Sequence, residues 1–207
     1  MELISLKYAI FVIVLLVLYY CFPKKYRWYV LLAGSMAYYV IICKWYVLFI
    51  IFTICTTYGS TIWIDKLLKK QNAIVKSHKE DWDRQTRKDY KEKGRKKRVA
   101  VMLFALLCNF GILAFLKYIP YAGELGLLLP LGISFYTFQS MGYVMDVYRE
   151  IVEPEKNFLK VALFVSFFPQ IIQGPIAIYD KLAGQLYEGH SLRLENLQKG
   201  ALLVLWG

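Results

Sequence analysis

The hydrophobic positions of this chain are gathered into uncharged runs separated by short polar stretches. Tyr8–Pro23 and Trp28–Cys43 hold 16 residues each, Trp45–Ile64 holds 20 and Val99–Leu116 holds 18; Leu125–Met145 and Val161–Tyr179 follow with 21 and 19. A helix needs roughly 20 apolar residues to cross a hydrocarbon core about 30 Å thick. The pattern therefore predicts an all-α, polytopic membrane protein with about six hydrophobic segments. The first two runs are short, but Lys7, Lys24 and Lys44 flank them and can snorkel to the interface. A further run, GALLVLWG at Gly200–Gly207, stops after 8 residues, so a truncated seventh segment is expected.

Composition points the same way. The chain is 58% hydrophobic and 20% charged, and six long apolar runs leave too little polar surface for a water-soluble globule. Residues 1–207 are read as one membrane domain. The start, Met1–Phe22, has no small-residue cleavage site of the A-x-A kind, which favours a retained helix over a secretory leader. Cys21, Cys43, Cys55 and Cys108 are scattered singly, without the paired spacing of a zinc site or a disulfide framework.

Charge sets an expected orientation. Residues 65–98 carry 14 Lys/Arg against 6 Asp/Glu, a net +8 of the chain's formal +11. Between two apolar runs this reads as a basic cytoplasmic loop under the positive-inside rule, with anionic-lipid contact as a possible extra; nucleic-acid binding is not expected. Alternation then places the N-terminus outside and the turn PKKYR (Pro23–Arg27) inside, where its basic residues agree. Opposite charges such as Asp81 with Arg84 and Asp83 with Arg87 predict that the loop is partly helical.

Two of the apolar runs carry unusual polar residues. Tyr136, Gln139, Tyr143, Asp146 and Glu150 recur at three- and four-residue spacings and share one helix face, with Phe135, Phe138, Met141 and Met145 on the apolar side. A mid-bilayer Asp costs roughly 2.5–3.5 kcal/mol on insertion scales, so such a stripe faces protein or a wet passage. Both ordinary inter-helix hydrogen bonding and a substrate path fit. In the next run Pro169, Pro175 and Gly174, with Gln170 and Gln173, predict a broken or re-entrant helix near residues 166–178. Irregular backbone is tolerated in lipid only where protein or a cavity surrounds it. Residues 179–199 read as an interfacial amphipathic segment. His78 and His190 lie in polar stretches and are expected to be surface histidines. Asp65 and Asp146 are too far apart to suggest a metal site.

LPLGISFYTFQSMGYVMDVYR (Leu129–Arg149), SFFPQIIQGPI (Ser166–Ile176) and YYCFPKKYRWYVLLAGSMAYY (Tyr19–Tyr39) resemble stretches of the membrane-bound O-acyltransferases. The similarity is to the branch of the alginate O-acetyltransferase membrane component and the D-alanyl transfer proteins, and to the N-terminal half of that family. The resemblance implies transfer of an acyl group, expected here to be acetyl, from a cytoplasmic thioester donor (acetyl-CoA or an acyl carrier protein) to hydroxyls of an extracellular polysaccharide or envelope acceptor. It also implies plasma-membrane location and an extracytoplasmic acetyltransferase-like partner; no bound cofactor is expected. The family's catalytic histidine, in a W-H-G context, has no counterpart here, so no catalytic residue is assigned. Tyr136, Gln139, Tyr143, Asp146, Arg149, Pro169, Gln170, Gln173, Gly174 and Pro175 are expected to line or support a substrate path. Two other classes fit the pattern: half of a transporter or flippase, and a non-catalytic membrane scaffold for envelope-modifying enzymes.

Overall fold

A computed structural model describes residues 6–78, 82–118, 132–173, 178–191, 198–200 and 202; the side chains of Leu6, Lys7, Ile172 and Gln173 lie outside the description. Gly174, Pro175 and most of the expected seventh segment also lie outside it. The described residues form α-helices and no strands. These are α1 (Leu6–Cys21), α2 (Arg27–Cys43), α3 (Val47–Ser77), α4 (Arg84–Tyr118), α5 (Ile133–Tyr148), α6 (Phe158–Ser166), α7 (Phe168–Gln173) and α8 (Tyr179–Tyr187).

Two helices organise the packing. α3 lies against α4, α5 and α6, while α2 lies against α1, α6, α7 and α8. Tyr39, Ile50, Ile54, Tyr136, Val144, Val161 and Phe164 fill the core between them. The outside is apolar too: Ile13 and Val17 on α1, Ile41 on α2, and Phe104 and Leu107 on α4 are all exposed, Leu107 at 72%. So many large apolar side chains left exposed would be costly in water. The stretch Lys24–Ser77, which holds α2 and α3, and the helix Arg84–Tyr118 contain windows long and apolar enough to cross a bilayer, and shorter apolar helices accompany them. The molecule is an all-α membrane protein with a lipid-facing belt.

The basic segment is more regular than its sequence suggests. α3 continues past its apolar run to Ser77 and α4 begins at Arg84, so both strands of a helical hairpin are unbroken extensions of apolar helices. The 13 residues from Asp65 to Ser77 extend about 20 Å at 1.5 Å per residue. Asp65 with Lys69 (2.5 Å) and Glu92 with Lys96 (3.4 Å) are i,i+4 pairs along the shafts. Gln71 donates to the Lys91 carbonyl at 3.3 Å. It seats against Gly94, where a Cβ would come within 2.2 Å of Gln71 Oε1.

Of the residues read on the apolar side of α5, Met141 is buried in the core at 1% exposure, while Phe135, Phe138 and Met145 are exposed. One expectation for α5 needs correction. Glu150 was placed on the helix face, but α5 stops at Tyr148 and Glu150 has left the helix at φ 62. There Ile151 N–H donates to the Asp146 carbonyl and Glu150 N–H to the Val147 carbonyl. That pair of bonds is the Schellman ending, with Glu150 at the position glycine usually occupies.

Candidate functional site

The run after α5 is broken at Phe167, whose ψ of 106 takes it out of the helix between α6 and α7. Pro169 explains the place. It has no N–H for the Val165 carbonyl, and it is tolerated near the first turn of a new helix. Breaking a helix inside an apolar bundle leaves backbone groups without partners, each a loss of roughly 1–3 kcal/mol if unmet. In an unbroken helix the Phe164 carbonyl would accept from Phe168 N–H. Here Gln139 Nε2 on α5 donates to that carbonyl at 2.9 Å. The Phe168 N–H instead donates to Ser35 Oγ on α2 at 3.4 Å. Gln139 and Ser35 are 2% and 0% exposed, so side chains of two other helices stand in for the lost helical bond. Ser166 Oγ, buried beside them, has no partner.

Tyrosines fasten the segment entering the break. Tyr143 OH accepts from Glu155 N–H at 2.8 Å, Tyr58 OH donates to the Lys156 carbonyl at 3.0 Å, and Tyr187 OH donates to the Lys160 carbonyl at 2.8 Å. Asn157 caps α6 by accepting from Leu159 N–H. Tyr143 also stacks on Tyr179, with ring centroids 4.1 Å apart. Burial raises the Tyr187 phenol above its ordinary pKa, reinforced by neighbouring Tyr179, so the hydroxyl remains a donor at neutral pH. Gly132, at φ 68, brings the start of α5 against α7: a Cβ there would meet the Ile171 carbonyl oxygen at 2.5 Å.

The sequence-predicted residues fall into distinct surroundings. Tyr136, Gln139 and Tyr143 are buried between helices, Gln170 is buried on α7, Asp146 is half-buried and Arg149 is exposed at the end of α5. Pro169 is exposed and lines a cavity of about 380 Å³ among α1, α2, the break and α8. Its walls are apolar, with Leu15, Leu16, Phe167 and Phe168 prominent, and Gln185 and His190 are among its polar members. Arg27 binds the end of α8 to the α1–α2 turn by donating to the His190 and Phe22 carbonyls. It also lies over the rings of Tyr19 and Tyr20. His78 stacks on Trp82 in the hairpin turn.

Sequence reasoning missed Ser35 and Asn109. Asn109 Nδ2 on α4 donates to Thr56 Oγ1 on α3 at 2.9 Å, a polar tie within the apolar zone. A lone amide in an uncharged run was the available signal. Ser35 had none beyond being a small hydroxyl.

No family model matches the chain, and no solved structure matches it. Curated relatives do. Over 80 residues the chain is 39% identical to the probable alginate O-acetylase AlgI of Pseudomonas syringae pv. tomato, covering 39% of this chain and 15% of that protein. Over 59 residues it is 46% identical to the protein of the same name from Pseudomonas aeruginosa, covering 28% and 11%. Over 144 residues it is 29% identical to the peptidoglycan O-acetyltransferase of Helicobacter pylori, covering 51% and 27%. The chain thus spans between 11% and 27% of the length of these three relatives.

Proposed function

Taking as premise that this chain is a relative of the membrane-bound O-acyltransferases, of the alginate O-acetylase branch, we propose that it forms part of the membrane body of an O-acetyltransferase. In this reading the acetyl group comes from a thioester donor on the cytoplasmic side, where the basic hairpin lies. It reaches hydroxyls of an extracellular polysaccharide or cell-envelope acceptor, with an extracytoplasmic acetyltransferase-like partner. The donor carrier is too large and charged to cross lipid, whereas an acetyl group needs only a narrow path between helices.

One observation carries the reading: a helix interrupted within the apolar bundle, its Phe164 carbonyl met by the buried Gln139 amide, beside a cavity that reaches Pro169. Irregular backbone inside lipid is retained where it is enclosed by protein or borders a passage. Gln139 is here a positioning residue: it holds the break in one geometry and touches no reacting atom. Neither His78 nor His190 is assigned proton transfer, which would come from a histidine outside this chain.

The test replaces Gln139 by Leu and, separately, Gln173 by Leu in a full-length homologue. O-acetylation of the envelope acceptor is then measured against the amount of protein in the membrane. The reading expects acetylation to fall while membrane protein is retained. Wild-type acetylation in both variants would sink it.

A further inference from the structure

A cationic groove lies at the root of the α3–α4 hairpin, where the two helices leave the apolar zone. It encloses about 440 Å³, and its walls include Gln71, Lys88, Lys91, Arg95, Arg98 and Glu150. Arg98 is buried, 8% exposed, and its Nε has no hydrogen-bond partner. Its Nη1 reaches Glu150 Oε1 at 3.4 Å, a long bond to a side chain that is 53% exposed. Gln71, 6% exposed, leaves its Oε1 without a partner. The other carboxylate in the wall, Glu92, is paired with Lys96.

These facts describe a charge that is not well met. A buried guanidinium needs a close counterion and its donors filled, and an exposed carboxylate at 3.4 Å supplies neither. Glu150 is also held in a left-handed conformation at φ 62, which is unfavourable for a residue with a Cβ by roughly 1–2 kcal/mol. A glycine would end the helix more easily, yet the position carries the acid that reaches Arg98. Glu150 has the character of a placeholder that an anion with better geometry can displace.

We propose that this groove binds a phosphate-bearing anion. Arg98 and Arg95 grip a phosphate through their forked donors, Lys88 and Lys91 hold the remainder, and Glu150 swings aside. The proposal does not rest on the acetyl-transfer reading. Its geometry favours a soluble ligand over a lipid headgroup. Arg98 adjoins the apolar run that starts at Val99, whereas Lys88, ten residues back along the helix, lies about 15 Å further out. The headgroup layer is only about 5–8 Å deep on each side, so a headgroup reaches the arginines but leaves Lys88 empty.

The opposite face of the hairpin offers a built-in control. Lys70, Lys93, Lys96 and Lys97 wall a second groove there, with as many cations as the first, no carboxylate and no buried arginine.

The test is calorimetric titration of pyrophosphate into the full chain in nanodiscs of neutral phosphatidylcholine. Saturable binding at one site is expected. Arg98→Gln and the exposed Arg95→Gln should each weaken it about tenfold, as expected when a charge-assisted bond is lost. Lys97→Gln should change it less than twofold and Glu150→Gln should tighten it. Arg95→Gln keeps the test valid if Arg98→Gln fails to fold. Nanodiscs carrying an anionic phospholipid separate the sources. If pyrophosphate affinity falls there in the parent but not in Arg95→Gln, the phosphate site stands with a headgroup as occupant; unchanged affinity supports a soluble ligand. Absence of saturable binding, or equal weakening by Arg95→Gln and Lys97→Gln, overturns the proposal.

Discussion

The helix break and the hairpin root each bury a glutamine between helices, and the two amides are used differently. Gln139 completes a backbone that Pro169 interrupts, donating to the Phe164 carbonyl among neutral groups. Gln71 bridges two shafts through Lys91 but leaves its oxygen unpartnered, next to Arg98 with an orphan Nε. One region uses its amide to hold the chain and leaves over a neutral hydroxyl, Ser166 Oγ. The other keeps polar capacity in reserve beside excess positive charge. Burial alone therefore does not distinguish a structural polar group from one suited to a ligand; the state of its partners does.

Mutations can break this contrast, starting with the closest packing. Gly132→Ala should have the largest effect. It forces a Cβ against the Ile171 carbonyl oxygen in a left-handed conformation, and overpacking plus backbone strain together give a loss of about 2–5 kcal/mol. Thermal unfolding of the chain in detergent measures it. Gln139→Leu should follow with a loss of about 1–3 kcal/mol, the cost of an unmet buried carbonyl. Ser35→Ala should lose less, about 0.5–1.5 kcal/mol, because its bond to Phe168 N–H is long at 3.4 Å. Gln71→Leu should be the mildest, within about 1 kcal/mol of the parent by the same measurement. It removes one bond but also removes an orphan acceptor. Equal losses for Gln139→Leu and Gln71→Leu would erase the distinction between the two regions.

The sequence was most legible where periodicity was strong. The three- and four-residue spacing of Tyr136, Gln139 and Tyr143 placed them on one face, and all three are buried. Pro169 marked a broken run, and the interruption stands two residues before it, at Phe167. Opposite charges at helical spacing suggested helix in the basic segment, though not that both shafts continue without interruption from the apolar helices. Glu150 was misplaced because a left-handed helix ending normally carries glycine, and a glutamate gives no such signal. Asn109 carried a signal that was passed over, a lone amide in an uncharged run, whereas Ser35 and the cavity at the break were not legible, since they depend on side chains brought together from distant parts of the chain.

The central claim is that Gln139 and the Phe164 carbonyl are hydrogen-bonded across the break. Solid-state NMR of the protein in bilayers tests it directly, with ¹⁵N in glutamine side chains and ¹³C in phenylalanine carbonyls. A short-range dipolar coupling between the two labels is expected, and it should vanish in Gln139→Leu. A parent protein with no such coupling, or a coupling unchanged in the variant, would contradict the account.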